Sequence, residues 1–208
     1  MTKSPQTEQP KDISREGLTW AKITQPLRLL RPQNNHAIAK LERFENLDIA
    51  QLQEETWKEI KGIILDVDEC IAPHHGEILP QNIQKLRELT AAGIKVIIFS
   101  NMKYSERYAE LEEMGIEIHQ SAYPKPDKRG FLECCEKLGL PPEEIIMIGD
   151  NLITDGGSIR AGINLVLVDP IQTEEENPSF GRRVQIATRD YFSDLSDQHD
   201  AKLGRDVV

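Results

Sequence analysis

Cysteine is scarce in this chain of 208 residues: Cys70, Cys134 and Cys135 are the only three, and the last two are neighbours. An odd, clustered set of this kind excludes a disulfide framework, shows no zinc-ligand spacing, and fits a reducing compartment. Long apolar runs are missing too. None approaches the roughly 18 residues that cross a bilayer, and the opening Met-Thr-Lys-Ser-Pro-Gln has no apolar stretch of the secretory kind. A cytoplasmic protein is expected. Net positive charge is also lacking, with 25 Lys and Arg against 35 Asp and Glu and a formal charge of −10. Nucleic acid is therefore not an expected partner, because neutralising phosphates needs a basic face.

The residues that are present, 38% hydrophobic and 29% charged, are those of an ordinary globular domain with length to spare. Residues 1–16 are polar, contain two prolines and show no apolar periodicity, so they read as a disordered tail. Residues 17–60 form a basic and apolar extension expected to pack on the core. Lys22, Arg28, Arg31, Lys40 and Arg43 there face the single acid Glu42 before Phe44, in a chain that is acidic overall. Trp20, Leu27, Leu29 and Leu30 could form a membrane-facing edge or a strip packed on the domain.

From 61 to 170 short apolar runs alternate with amphipathic stretches, the pattern of an α/β fold whose parallel sheet is covered on both faces. Five strands are expected, at 62–65, 95–99, 116–118, 145–148 and 164–168. Helices are expected at 49–61, from Pro80 to the stop at Gly93, at 105–114 and at 128–138. Residues 171–208 form a C-terminal extension with a helix at 180–192, preceded by the acidic run Glu174 to Glu176, which reads as a solvated loop.

In such a sheet, reactive groups gather where strands end. The first strand runs into Asp66-Val-Asp68-Glu69-Cys70, the second into Ser100-Asn101, and the fourth into Gly149-Asp150-Asn-Leu-Ile-Thr-Asp155, while Lys125-Pro126 follows the third. Carboxylates brought together at Asp66, Asp68, Asp150 and Asp155 would repel one another unless a cation sat among them, and oxygen-ligated Mg2+ is the natural choice. A carboxylate nucleophile with a second acid two residues on could split phosphate-ester hydrolysis into two easier steps. A hydroxyl, a backbone N–H and an ammonium, from Ser100, Asn101 and Lys125, would hold the transferring phosphoryl group.

Asp-Val-Asp-Glu-Cys, Ser-Asn, Lys-Pro and Gly-Asp-(three residues)-Thr-Asp, in that order, resemble the four motifs of the haloacid dehalogenase superfamily. The resemblance implies that Asp66 is nucleophile and Mg2+ ligand, and that Asp68 is the acid/base and lends its backbone carbonyl to the metal. It makes Ser100 and Lys125 the phosphoryl-binding residues and Asp150 a Mg2+ ligand supported by Asp155. Where the family usually shows Asp-x-Asp-Asn-Thr, this chain has Glu69 and Cys70. An inward Glu69 would put negative charge beside the phosphate. The gaps of 34 residues from Asp66 to Ser100 and 25 from there to Lys125 leave no space for a cap domain.

The sequence after Gly149 resembles subclass IIIA. Leu27 to Pro32, Leu47-Asp48-Ile49 and Ile60 to Ile64 look like the phosphatidylglycerophosphate phosphatases of that branch, which work at a membrane surface in phospholipid synthesis. The implied partners are a lipid phosphate and an anionic membrane surface, with an oligomer open. A soluble phosphatase of sugar or other small esters, and a binding protein that has lost turnover, are the alternatives. His74 and His75 could touch substrate or be solvated, Asp155 could be a helix cap, and Cys134 and Cys135 read as helix packing.

Overall fold

The computed structural model describes residues 20–102, 105–171 and 179–208. The expected tail at 1–16 and the acidic run Glu174 to Glu176 lie outside the described residues. Six parallel strands form one sheet: β1 (Ala39–Leu41), β2 (Gly62–Leu65), β3 (Lys95–Ile98), β4 (Glu117–Ile118), β5 (Ile145–Gly149) and β6 (Asn164–Val168), in the order β1-β6-β5-β2-β3-β4. The expectation of five strands is therefore corrected to six. The extra strand comes from the basic extension, where Ala39 pairs with Val166 and Leu41 with Val168. Three residues are too few to show a period of two, so a strand this short is hidden within apolar Ala37-Ile38-Ala39. Its outer edge is paired with the chain's last residue, through Lys40 N–H to Val208 O at 2.8 Å.

Side chains alternate across the sheet, and two cores result. On one face Ile63, Leu65, Ile98, Ile146 and Ile148 meet α2 (Ile49–Thr56), α3 (Pro80–Ala91) and α4 (Ala109–Glu113). On the other, Ile64, Ile97, Phe99, Met147 and Leu165 meet α1 (Trp20–Leu29), α5 (Lys128–Leu138) and α6 (Phe180–Leu203). The ends of α5 show why its sequence forms a helix: the Asp127 side chain accepts from Arg129 N–H, and Gly139 takes the left-handed stop. Phe131, Cys134, Cys135 and Leu138 then fall on its buried face. The helix expected at 49–61 is shorter, because Trp57 turns left-handed at φ 56.

The last helix is longer than its sequence suggests, 24 residues rather than a stop at Phe192. Ser196 and Asp200 look like outward residues, yet both are buried. The extension supplies their partners: Ser196 donates to Asn35 O, and one oxygen of Asp200 lies 3.0 Å from His36 Nδ1. Polar burial against a hydrogen-bonded neighbour defeats a reading based on apolar periodicity.

Order and connection place the site. From β2 the chain winds outward to β3 and β4, then returns to β5 on the other side of β2, so the winding reverses between β2 and β5. Ligand crevices in such sheets open outside the carboxyl ends of strands at that reversal. Asp66 follows β2 and Asp150 follows β5.

Candidate active site

Each acid is delivered by a strand end and fixed by a short loop. Asp66 continues the β2 ladder, with its N–H on Ile148 O at 2.9 Å, and the chain then folds on itself as Cys70, Ile71 and Ala72 all donate to Val67 O. One oxygen of Asp66 accepts from Val67 N–H at 2.9 Å, and the other lies 2.6 Å from Lys125 Nζ. That ammonium is also 2.6 Å from Asp155 Oδ1, and its side chain is 1% exposed. A single buried cation thus joins the first and fourth motifs. Burial works against its charge, but Asp155 and Asp66 outweigh it and raise the pKa above the usual lysine range.

Lys125 is held from behind by Asn101, whose amide accepts from Lys125 N–H at 2.8 Å and donates to Lys125 O at 3.0 Å. The Asn101 side chain is thereby committed to shaping the third motif. Ser100 Oγ accepts from Met102 N–H at 3.2 Å. Gly149 is required by the fourth motif, since a Cβ there would collide with the Asp155 carboxylate. The other oxygen of Asp155 accepts from Asn151 N–H at 3.1 Å.

Asp66, Asp150 and Asp155 offer carboxylate oxygens that all lie within 4.8 Å of one another. Burial raises the pKa of Asp150 well above the usual carboxylate range, with Asp155 and Asp66 adding to it. Burial likewise pushes Asp155 up to about 6 against the pull of Lys125. Three crowded carboxylates with hard oxygen donors suit a small divalent cation, which would reverse that repulsion. Asp68 stands apart from this cluster. Both its oxygens are held by Arg107, at 2.7 and 3.1 Å, and His75 N–H adds a third bond at 2.8 Å. Burial favours its neutral form, but Arg107 and His75 bring its pKa below the usual range.

The departure at Glu69 has a structural explanation. Its backbone takes the left-handed conformation at φ 63, uncommon for a residue with a Cβ. Its buried carboxylate is paired with Arg182 and, at 3.0 Å, with Arg189, both on α6. Arg189 also lies 3.5 Å from Asp150 Oδ2. The negative charge that could have faced a phosphate is neutralised by the C-terminal helix.

A cavity of about 280 Å³ opens here, and its walls include Asp66, Asp68, Ser100, Asn101, Lys125 and Asp150. Of the residues expected from sequence, Asp155 lies beneath this wall, fully buried against Lys125. His74 and His75 line the cavity, as do Lys22 of α1 and Gln185 of α6. Arg107, Arg182 and Arg189 were not foreseen. A signal existed for the last two: an inward Glu69, which the sequence left open, needs a cation, and Arg182 and Arg189, seven apart, share one helix face.

A family model of haloacid dehalogenase-like hydrolases matches residues 12–162. A probable phosphatase of Bacillus subtilis (strain 168), YqeG, is 33% identical over 123 residues, which cover 57% of this chain and 69% of that protein. The phospholysine phosphohistidine inorganic pyrophosphate phosphatase of Xenopus laevis is 31% identical over 97 residues, 46% of this chain and 35% of the relative. Among solved structures, the 3-deoxy-D-manno-octulosonate 8-phosphate phosphatase of Moraxella catarrhalis, in complex with magnesium ion, phosphate ion and KDO, is 17% identical. It covers 76% of this chain and 98% of its own, with a TM-score of 0.43.

Proposed function

This chain belongs to the haloacid dehalogenase-like hydrolases and is a phosphatase; from that premise we propose that it hydrolyses a phosphate monoester through an aspartyl-phosphate on Asp66, with Mg2+, and that its substrate is a lipid phosphate of the phosphatidylglycerophosphate kind. The observation that carries the reading is the meeting of Asp66, Lys125, Asp150 and Asp155 at the ends of β2 and β5. An oxygen of Asp66 attacks phosphorus while the bond to the leaving oxygen breaks, and Asp68 supplies the proton that oxygen needs. Water then attacks the phosphoryl group, Asp68 takes its proton, and Asp66 is regenerated as phosphate departs. Asp68 must leave Arg107 to act, since both its oxygens are engaged there and that pairing favours its charged form; only away from it can the carboxyl carry the proton it supplies. Ser100, the Asn101 backbone N–H and Lys125 hold the equatorial oxygens. Asp66, the Asp68 carbonyl and Asp150 would hold Mg2+, with Asp155 supporting them; the ion would neutralise charge on the phosphoryl oxygens.

The lipid part of the reading is supported by α1 and by Leu30, which directly follows it. Trp20, Ile23, Leu27 and Leu30 turn outward, Trp20 being 76% and Leu27 69% exposed, whereas Leu29 faces the core. Spacings of three and four place the exposed four on one face. Lys22 of the same helix lines the cavity, and Arg28 and Arg31 flank the stripe. Lys40 is paired with Asp197. Among the described residues no helix is long and apolar enough to cross a membrane. An apolar stripe edged by cations beside a reaction site suits weak, reversible docking on an anionic surface, where each Lys or Arg contributes up to about 1 kcal/mol.

The test is phosphate release from phosphatidylglycerophosphate in anionic vesicles and from soluble sugar phosphates, with and without Mg2+. We expect Mg2+-dependent turnover of the lipid, with sedimentation on anionic vesicles that salt reverses. Arg28→Glu with Arg31→Glu would cut lipid turnover and spare a soluble ester. Equal turnover of sugar phosphates, unaffected by that double change, would replace the lipid reading with a soluble phosphatase. No turnover of any ester would favour a binding role.

A further inference from the structure

We propose that Arg189, more than thirty residues beyond the last of the four motifs, is a positioning residue that holds one oxygen of Asp150 away from a bound cation and thereby favours Mg2+ over Ca2+. The proposal rests on the metal reading above. Its basis is that each acid of the three-carboxylate cluster has at least one oxygen already engaged. Asp66 accepts from Val67 N–H and contacts Lys125; Asp155 contacts Lys125 and accepts from Asn151 N–H. Asp150 is the member engaged by a residue that belongs to none of the four motifs. Arg189 Nη1 lies 3.5 Å from its Oδ2.

The guanidinium is well fixed for that task. Its side chain is 11% exposed, and the same Nη1 is 3.0 Å from Glu69 Oε2, while Glu69 is also tied to Arg182. Both arginines belong to one helix, so Glu69 docks α6 against the first motif, while Arg189 reaches past it to make its own contact with Asp150. This gives the unusual Glu69 a purpose. An ordinary polar residue there would leave two buried arginines without an anion between them.

Selectivity follows from coordination chemistry. Mg2+ is small, keeps six ligands in near-ideal octahedral order and uses few carboxylates, one oxygen each. Ca2+ takes six to eight oxygens and readily accepts both oxygens of one carboxylate. A carboxylate with one oxygen engaged by a cation serves the first ion better than the second. Without Arg189, Asp150 could turn both oxygens to the metal, and discrimination would fall. A helix that merely docked through Glu69 would affect stability and leave the preference between the ions unchanged.

The test is calorimetric titration of Mg2+ and of Ca2+ into the full-length protein stripped of metal, as wild type, Arg189→Gln, Arg189→Lys and Glu69→Gln. Supporting an outer residue typically changes metal affinity by about 10- to 100-fold, and we expect the ratio of the two dissociation constants to move toward Ca2+ by about tenfold in Arg189→Gln. Arg189→Lys should restore much of the wild-type ratio, because a cation again faces Asp150. Glu69→Gln, which weakens α6 docking and leaves Arg189 to pair with Asp150, should lower the melting temperature and keep the ratio. An unchanged ratio in folded Arg189→Gln overturns the proposal, as does a fall of that ratio in Glu69→Gln. Wild-type protein that binds neither ion would instead overturn the metal reading on which it rests.

Discussion

Two buried charge clusters lie side by side at the carboxyl edge of the sheet, and they are built with opposite signs. In one, the cation Lys125 sits between Asp66 and Asp155. In the other, the anion Glu69 sits between Arg182 and Arg189. The first is assembled from loops that directly follow strands, so its members are placed by the sheet itself. The second joins residues 113 and 120 positions apart and depends on a helix docked from the end of the chain. They touch where Arg189 approaches Asp150. The comparison teaches that the reacting groups and the groups that compensate a motif departure have different origins: strand ends supply the chemistry, and a terminal helix supplies the neutralising charge.

The largest effect should come from the first cluster. Asp66→Asn keeps shape while removing the attacking carboxylate, and turnover should drop by at least about a thousandfold. Binding of beryllofluoride, which mimics an aspartyl-phosphate, should be lost as well. Near-normal phosphate release from this variant would show that the cluster is structural, like its neighbour. The second cluster should instead answer in stability. Glu69→Ala leaves two arginines buried beside each other, and removing one member of a buried ion pair costs roughly 3–5 kcal/mol. A urea melt that shifts by less than about 1 kcal/mol would mean that the arginines find water or another acid.

Smaller, and confined to the first cluster, is a coupling between pH and metal. Asp150 and Asp155 have pKa values raised by burial, Asp155 to about 6, against an unfolded value near 3.9. In metal-free protein these groups bind protons more tightly folded than unfolded. Their contribution to stability is full below pH about 4 and is lost as pH rises through about 6. Mg2+ takes the proton's place, so the unfolding midpoints of metal-free and Mg2+-saturated protein should diverge from pH 4 to pH 7. Glu69→Gln should leave that divergence intact. A constant gap across the range would show that the three acids do not bind the ion together.

The same division explains what the sequence discloses. β2, β3, β5 and β6 are continuous apolar runs buried on both faces, and such runs are visible without any fold in hand. The loops after them carry Asp66, Ser100 and Asp150, so most of the cavity wall was legible. Lys125 was found through Lys-Pro, although its burial between two carboxylates was not. β1 escaped because three residues show no period, and the far half of α6 escaped because its inward face is polar. Arg107, Arg182 and Arg189 could not be located, since long side chains from distant elements carry no local pattern that names their partner. α1 had been open between an outward and an inward strip. It is both, with Leu29 buried and Trp20, Leu27 and Leu30 exposed.

The smallest effect is expected at the other departure from the family's first motif, Cys70. It directly follows Glu69 in sequence but belongs to neither cluster. Its side chain is buried at 1% exposure, with Sγ 3.9 Å from Ile148 O, the carbonyl that also accepts from Asp66 N–H. Burial, reinforced by Asp66, Asp150 and Asp155, raises the thiol pKa well above its usual value, so Cys70 stays a neutral thiol and weak donor. Cys70→Thr puts a hydroxyl within reach of the same carbonyl and adds one methyl to a packed site. A better hydrogen bond contributes about 0.5–1.5 kcal/mol, and crowding from an added carbon opposes it by a similar amount. Turnover should be equal or higher, with an unfolding midpoint unchanged to within about 0.5 kcal/mol. A clear loss of both would mean that the loop around Asp66 is packed to fit the sulfur, and that the Cys70 departure, like the Glu69 one, is compensated elsewhere in the fold.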